Sequence, residues 1–216
     1  MKKLLIGLLV FNLNIVMAQT DSEIEIKPLK NRTYFDISGG LSSRLGKAQP
    51  TNDFDLDRKI SISKRGFFVD ASLFFQVKPN SNHFIGFKYN SFNNYLNNNK
   101  LSISFYGVSY LFSKEFYGKD LLNADVSFGY ITYKDNQYFI DNYVIKGGNV
   151  GIKTNLYYLL KISKGFYSGP KIGLQLASAK DFKVENKVSN SQDINLKDVN
   201  ESLSTLDIGI VFRISL

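Results

Sequence analysis

The chain has 216 residues and no cysteine. That excludes a disulfide framework and any thiolate metal site. It also excludes lipid attachment at a cysteine after the N-terminal apolar run. A single histidine, His83, leaves little material for histidine-based catalysis or metal binding. Beyond the first eighteen residues no apolar run is long enough for a membrane-spanning helix, which needs about 20 apolar residues. If the chain is embedded in a membrane, strands must do it. Charge of one sign is not concentrated either. Lys and Arg outnumber Asp and Glu by 27 to 19, a formal charge of +8, but the two signs are interspersed. A nucleic-acid surface needs a basic stripe or patch, so none is expected. A mixed surface facing anionic headgroups or polysaccharide fits better.

The N-terminus predicts an export signal. Lys2 and Lys3 precede an apolar core from Leu4 to Phe11, and Val16-Met17-Ala18 offers a small residue at the cut. Asn12 and Asn14 interrupt the core, against a spanning helix. Residues 1–18 are thus expected to be removed. Residues 19–32, polar with Pro28, form a lead-in, in which Ile24 and Ile26 offer at most a short strand.

What the chain has in quantity is period-2 alternation. The last stretch is the clearest: Leu206, Ile208, Ile210, Phe212, Ile214 and Leu216 alternate with Asp207, Gly209, Val211, Arg213 and Ser215. Seven earlier stretches repeat the pattern, and together they predict an all-β domain over residues 33–216. The first strand runs from Thr33 to Ser42, with Phe35, Ile37 and Leu41 on one face. The second runs from Gly66 to Val77. The third carries Ile85, Phe87 and Tyr89. The fourth is assigned Leu101, Ile103, Phe105, Gly107 and Leu111 as its apolar face, opposite Tyr106, Val108 and Tyr110. The fifth carries Leu122, Ala124, Val126, Phe128 and Tyr130, the sixth Val150 through Ile162, and the seventh Phe166, Ile172, Leu174 and Leu176. Pro170 lies in the seventh and predicts a bulge or a late start, because proline cannot donate to a ladder. Ser43 to Arg65, Ser91 to Lys100, Lys134 to Asn149 and Ala179 to Ser202 read as long loops. The connections between them read as shorter: the turns Lys78 to Asn82 and Ser163-Lys164-Gly165, and Ser113 to Leu121 of middling length.

Two regularities orient the strands. The assigned apolar faces hold no Asp, Glu, Lys or Arg. The opposite faces hold Asp36, Asp70, Lys88, Asp125, Lys153, Lys161, Lys171, Asp207 and Arg213. A charge facing lipid at mid-bilayer costs roughly 2–4 kcal/mol for Arg or Lys, which explains a clean face. A soluble lipocalin-like barrel predicts the reverse polarity. Long and short connections also alternate, as they do in outer-membrane barrels. The expected fold is an eight-stranded antiparallel up-and-down transmembrane β-barrel with both termini in the periplasm.

With these residues the chain resembles the small eight-stranded bacterial outer-membrane barrels of the OmpA-barrel and OmpX type. In length and style it is similar to the PorT-like outer-membrane β-barrel group of Bacteroidetes. The resemblance covers Thr33 to Leu216. It implies a Gram-negative outer membrane, a monomer, and contact with outer-membrane lipid and lipopolysaccharide. It also implies that Ile208, Ile210, Phe212, Ile214 and Leu216 form an insertion signal for the barrel-assembly machinery, although such signals usually finish on an aromatic residue. The resemblance implies no activity, since the fold hosts many.

The nine inner-face charges, four acids and five bases, predict an ion-pair network that fills the interior. No catalytic, cofactor or metal residues are expected. Asp53, Asp55 and Asp57 are spaced as a calcium loop begins, but Arg58 and Lys64 stand where an EF-hand needs Gly and Glu. A loose surface cation site is the most they offer. His83 falls at the turn end, the wrong end for a lipid-modifying enzyme of the outer leaflet. Outward Phe35, Phe75, Tyr89, Tyr130, Tyr158 and Phe212 fit interfacial girdles. The expected role is non-enzymatic, with the loops Arg44–Arg65 and Lys180–Ser202 contacting a ligand, polymer or partner. Ile60 and Ile62, and Phe182 and Val184, suggest that these loops extend as strand edges able to pair with a partner. The rival roles are a part of a secretion or assembly machine, a small passive channel, a lipid-modifying enzyme, and a soluble secreted barrel.

Overall fold

A computed structural model describes residues 32–46, 54–96, 99–116, 119–136, 142–179, 181–187, 194–196 and 201–216. The expected signal, nearly all of the lead-in, and Asp53 lie outside the described residues. Eight strands form the wall: β1 (Thr33–Arg44), β2 (Arg65–Gln76), β3 (His83–Leu96), β4 (Asn99–Phe116), β5 (Asp120–Asn136), β6 (Tyr143–Ser163), β7 (Phe166–Ala179) and β11 (Thr205–Ser215). Each pairs antiparallel with the next, and β11 pairs with both β7 and β1. The ring is therefore closed, and no wall strand is left with an unpaired edge. The Leu216 amide donates to the Thr33 carbonyl at 2.9 Å, so the two chain ends of the wall meet. That rim is called here the terminal end and the opposite rim the loop end.

The alternation of the sequence becomes the two faces of the wall, because successive side chains in a strand point to opposite sides. Its polarity is inverted relative to a water-soluble barrel. Phe87 is 64% exposed and Phe128 58%, whereas Arg213 and Lys153 are 0% exposed. On β5 the outward apolar run from Leu122 to Tyr130 gives a band roughly 20 Å tall at about 3.3 Å per residue and a tilt of about 40°.

Closing a narrow barrel over large inner side chains requires small neighbours. Gly40 of β1 sits opposite Gly209 of β11. A Cβ on Gly40 would run into the Ile208 carbonyl, and one on Gly209 would lie 2.9 Å from the Phe68 ring. The glycine pair thus lets the seam strands approach and leaves space for Phe68.

Several elements differ from the sequence expectation. β4 is reversed: Leu101, Ile103, Phe105 and Leu111 are fully buried inside, while Tyr106, Val108 and Tyr110 face outward. Its core stretch carries no charge on either face, so the rule that oriented the other strands had nothing to act on. The expected loops Ser91–Lys100 and Lys134–Asn149 are largely strand, because β3 to β6 run on past the rim in unbroken register. The connection after β3 is residues 97–98 alone. The first loop contains a helix, α1 (Phe54–Ser63), so Ile60 and Ile62 are helical rather than a strand edge. Asp55 and Asp57 fall in its first turn, where carboxylates favour the helix N-terminus. The last loop contributes β8 (Phe182–Asn186), β9 (Ile194–Leu196) and β10 (Glu201–Ser202). β8 pairs with β6 on one side and with β9 on the other, so Phe182 and Val184 lie in a strand as expected, but both edges of that strand are taken within the chain and it is not open to a partner. Pro170 neither delays nor bulges β7, which begins at Phe166; the register shift lies between Lys161 and Ser163. The tight turn at Gly165 has φ +77°, a left-handed conformation that glycine adopts at low cost.

Gly40→Val should prevent tight closure at the seam. We expect a loss of about 1–3 kcal/mol in stability, as for other overpacked sites, seen as a smaller heat-modifiable fraction on an unboiled denaturing gel.

Candidate functional site

The charges of the inner face are brought together as four paired groups. Arg213 of β11 holds Asp36 of β1 through two parallel bonds, Nε to Oδ1 and Nη2 to Oδ2, each 2.7 Å. Such a fork is the strongest form of carboxylate recognition. The remaining Arg213 donors reach Asn123 Oδ1 at 2.7 Å and the Tyr157 hydroxyl at 3.2 Å, and the guanidinium lies 4.2 Å from the Tyr34 ring centroid. Lys88 donates to both oxygens of Asp125, at 2.7 and 2.6 Å, and Asn155 Nδ2 donates to the same carboxylate at 2.8 Å. Lys171 pairs with Asp70 at 3.0 Å and donates to Ser38 Oγ at 2.8 Å. Lys153 pairs with Asp207, whose other oxygen accepts from Ser42 Oγ at 2.5 Å. Four acids face four bases, and all eight groups are buried.

The fifth predicted base, Lys161, is not among them. It is exposed. It has the inward parity, but it follows Leu159, the last buried inward residue of β6, and lies past the end of the cavity. Its backbone N–H donates to Asp120 at 3.2 Å.

Above and below this belt the inner face is apolar. Tyr34, Phe74, Phe84, Leu111, Leu121, Leu159 and Val211 fill the terminal end, with Tyr34 and Phe84 stacked at 4.5 Å. Phe92, Leu101, Ile103, Phe105, Ile131 and Phe182 are central to the packing of the loop end. Phe182 comes from β8, so the last loop helps to seal the mouth. Its ring meets Tyr133 edge-on at 5.6 Å. The balance of costs explains this layering. A buried charge is tolerated only when paired and hydrogen-bonded, and each charged group of the belt has an opposite charge within reach. The two plugs keep water from that belt.

Sequence reasoning missed a second set of charges at the loop end, because it assigned their positions to loops. Arg44 is buried and bonds Glu201 at 2.6 Å and the Ser202 carbonyl at 3.2 Å. Asp135 is also buried there. Their inward parity, continued beyond the expected strand ends, was the available signal. The five apolar residues of the predicted insertion signal, Ile208, Ile210, Phe212, Ile214 and Leu216, all face outward. His83 sits at the terminal end with Nδ1 2.5 Å from the Tyr110 hydroxyl, near the rings of Tyr110 and Phe112. Among the described residues no cluster of His, Asp and Glu has the geometry of a metal site. At the outer surface of the loop end Glu185 bonds Lys146 at 2.6 Å; that bond, with help from Lys183, holds its carboxyl below the usual range.

No protein-family model matches the chain, and no curated protein is similar to it. Solved structures are. Neisserial surface protein A is 8% identical, with a TM-score of 0.54, and the match covers 86% of this chain and 96% of that one. The outer membrane protein AlkL is 8% identical over 92% of this chain and 96% of its own, with a TM-score of 0.43. The outer membrane protease OmpT of Escherichia coli is 6% identical over 90% and 99%, with a TM-score of 0.46. At 8% identity the likeness to Neisserial surface protein A is one of fold: the chain is a closed eight-stranded antiparallel β-barrel of that kind.

Arg213→Leu leaves Asp36 buried without its partner. It should lower stability by about 3–5 kcal/mol, whereas the double variant Asp36→Leu/Arg213→Leu should recover most of the loss. Reversible urea unfolding in lipid vesicles measures both.

Proposed function

We propose that the chain is an integral outer-membrane barrel protein that neither conducts nor catalyses, and that it acts through its loop end at the cell surface. The sealed interior carries this reading: an ion-pair belt of zero net charge lies between two apolar plugs. A passive channel needs a continuous polar path, and the two buried apolar clusters on either side of the belt speak against one. The outward apolar band supports membrane embedding over a soluble barrel, since water-exposed apolar patches on soluble monomers seldom exceed about 600 Å². The outward orientation of Ile208, Ile210, Phe212, Ile214 and Leu216 supports reading them as an insertion signal.

The loop end holds what is left for function. There β3 to β6 rise beyond the rim, β8 and β9 extend their sheet, and α1 lies beside β2. A ligand, a surface polymer or a partner in a secretion machine would meet these elements. Among the described residues the terminal end offers short turns.

The absence of cysteine makes the orientation easy to test. Lys59→Cys on α1 should react with a membrane-impermeant maleimide in intact cells, and Lys119→Cys only after the outer membrane is opened. Labelling of Lys119→Cys alone in intact cells would reverse the orientation. Purified protein in a planar bilayer should show no discrete conductance steps; regular steps would restore the channel reading.

A further inference from the structure

The outer face of the loop end carries a ladder of lysines. In register, Lys134 of β5 stands directly opposite Lys146 of β6, and Lys146 stands directly opposite Lys183 of β8. Lys134 and Lys146 face outward by the same alternation that places Tyr130 and Ile152 on the outer face. All three lysines are exposed. Lys187 joins them from just beyond β8, with Nζ 2.5 Å from Asn136 Oδ1. Among the described residues, Glu185, paired with Lys146 at 2.6 Å and Lys183 at 3.4 Å, and the exposed Asp181 stand against these four bases. Like charges directly opposite on neighbouring strands are destabilising. Two successive such pairs, with a net excess of positive charge among the described residues, make this face attractive to an anion.

The rows below the ladder indicate where that anion comes from. Tyr89, Tyr106 and Tyr130 are register partners on β3, β4 and β5, all outward, and the rings of Tyr89 and Tyr106 are 5.1 Å apart. They form a girdle at the upper edge of the apolar band. Between girdle and ladder lies a row of small groups, Ser104, Thr132 and Gly148. Gly148 is tight against the Tyr130 hydroxyl, where a Cβ would lie 2.5 Å away. From Tyr130 to Lys134 the strand rises about 13 Å, or about 10 Å along the membrane normal at a tilt of about 40°. That is the depth of a lipid headgroup above the hydrocarbon edge.

Resting on the membrane placement proposed above, we infer that Lys134, Lys146 and Lys183 form a binding site for the phosphate groups of an outer-leaflet lipid headgroup. The acyl chains run down the apolar face of β4 to β6. The sugar or glycerol portion fills the gap over Ser104, Thr132 and Gly148. The lysine ammoniums meet the phosphates as charge-assisted donors. A site of this kind fixes one lipid against one side of the barrel, under the β8–β9 extension.

Native mass spectrometry of the detergent-solubilised full barrel tests this with three probes: bis-phosphorylated lipid A, the same lipid after phosphatase treatment, and inorganic pyrophosphate. Bis-phosphorylated lipid A should bind the wild type and survive collisional activation. The variant Lys134→Gln/Lys146→Gln/Lys183→Gln should lose at least about tenfold in affinity. Lys119→Gln/Lys164→Gln at the terminal end should bind as the wild type does. Equal binding by the ladder variant, or equal binding of the dephosphorylated lipid, would overturn the site. Pyrophosphate binding as tightly as the lipid would overturn the lipid as its occupant. The heat-dependent gel shift of the ladder variant separates the two readings. A variant that is folded and membrane-bound but unaltered in lipid binding removes only the lipid site. A wild type recovered as a soluble protein removes the membrane placement itself.

Discussion

The fork between Arg213 and Asp36 is the interaction on which the rest depends. It joins the last wall strand to the first, from inside, at the seam where the barrel closes. It is shut away from water, and two further guanidinium donors are taken by Asn123 and Tyr157. The same logic runs through the other three pairs. A buried ion pair seldom adds stability over a well-packed apolar substitute. What it adds here is registry: Asp36, Asp70, Asp125 and Asp207 each find a base on another strand, and a one-residue slip would turn those charges toward the apolar medium.

Seen this way, the outer face and the interior have one cause. A wall strand that must be free of charge on one side concentrates its charges on the other. Those charges then need partners across a narrow lumen, and the partners fill it. The apolar plugs above and below complete the seal. The proposed function follows from this filled interior and rests on the loop end. There the wall is taller on the β3–β6 side and carries the lysine ladder, while the β1–β2 side carries α1.

The wall was largely legible in the sequence because charge marks a face. Seven strands were oriented correctly by where Asp, Lys and Arg fall. β4 was not, since Leu101, Ile103 and Phe105 look lipid-facing until the apolar plug they belong to is known. Lys161 shows the converse: parity placed it inside, but parity does not say where the cavity ends. Composition misled at Ser91–Lys100, where asparagines suggested a loop. In the fold the Asn94 amide instead donates to the Ile62 and Arg65 carbonyls and ties β3 to the end of α1 and the start of β2. α1 itself was hidden, because Ile60 and Ile62 also fit a strand. The lysine ladder could not be read at all: Lys134, Lys146 and Lys183 come together only through the pairing of β5, β6 and β8.

The chain has no tryptophan, so a single introduced one reports its own surroundings. The most direct measurement of the inverted polarity compares Phe128→Trp, on the outer face, with Phe105→Trp, in the interior, after refolding into vesicles of brominated-chain phospholipid. The account predicts strong bromine quenching of the tryptophan at position 128 and little at position 105. Equal fluorescence from both, or quenching at 105 alone, would contradict a barrel that turns its apolar face to lipid and its charges inward.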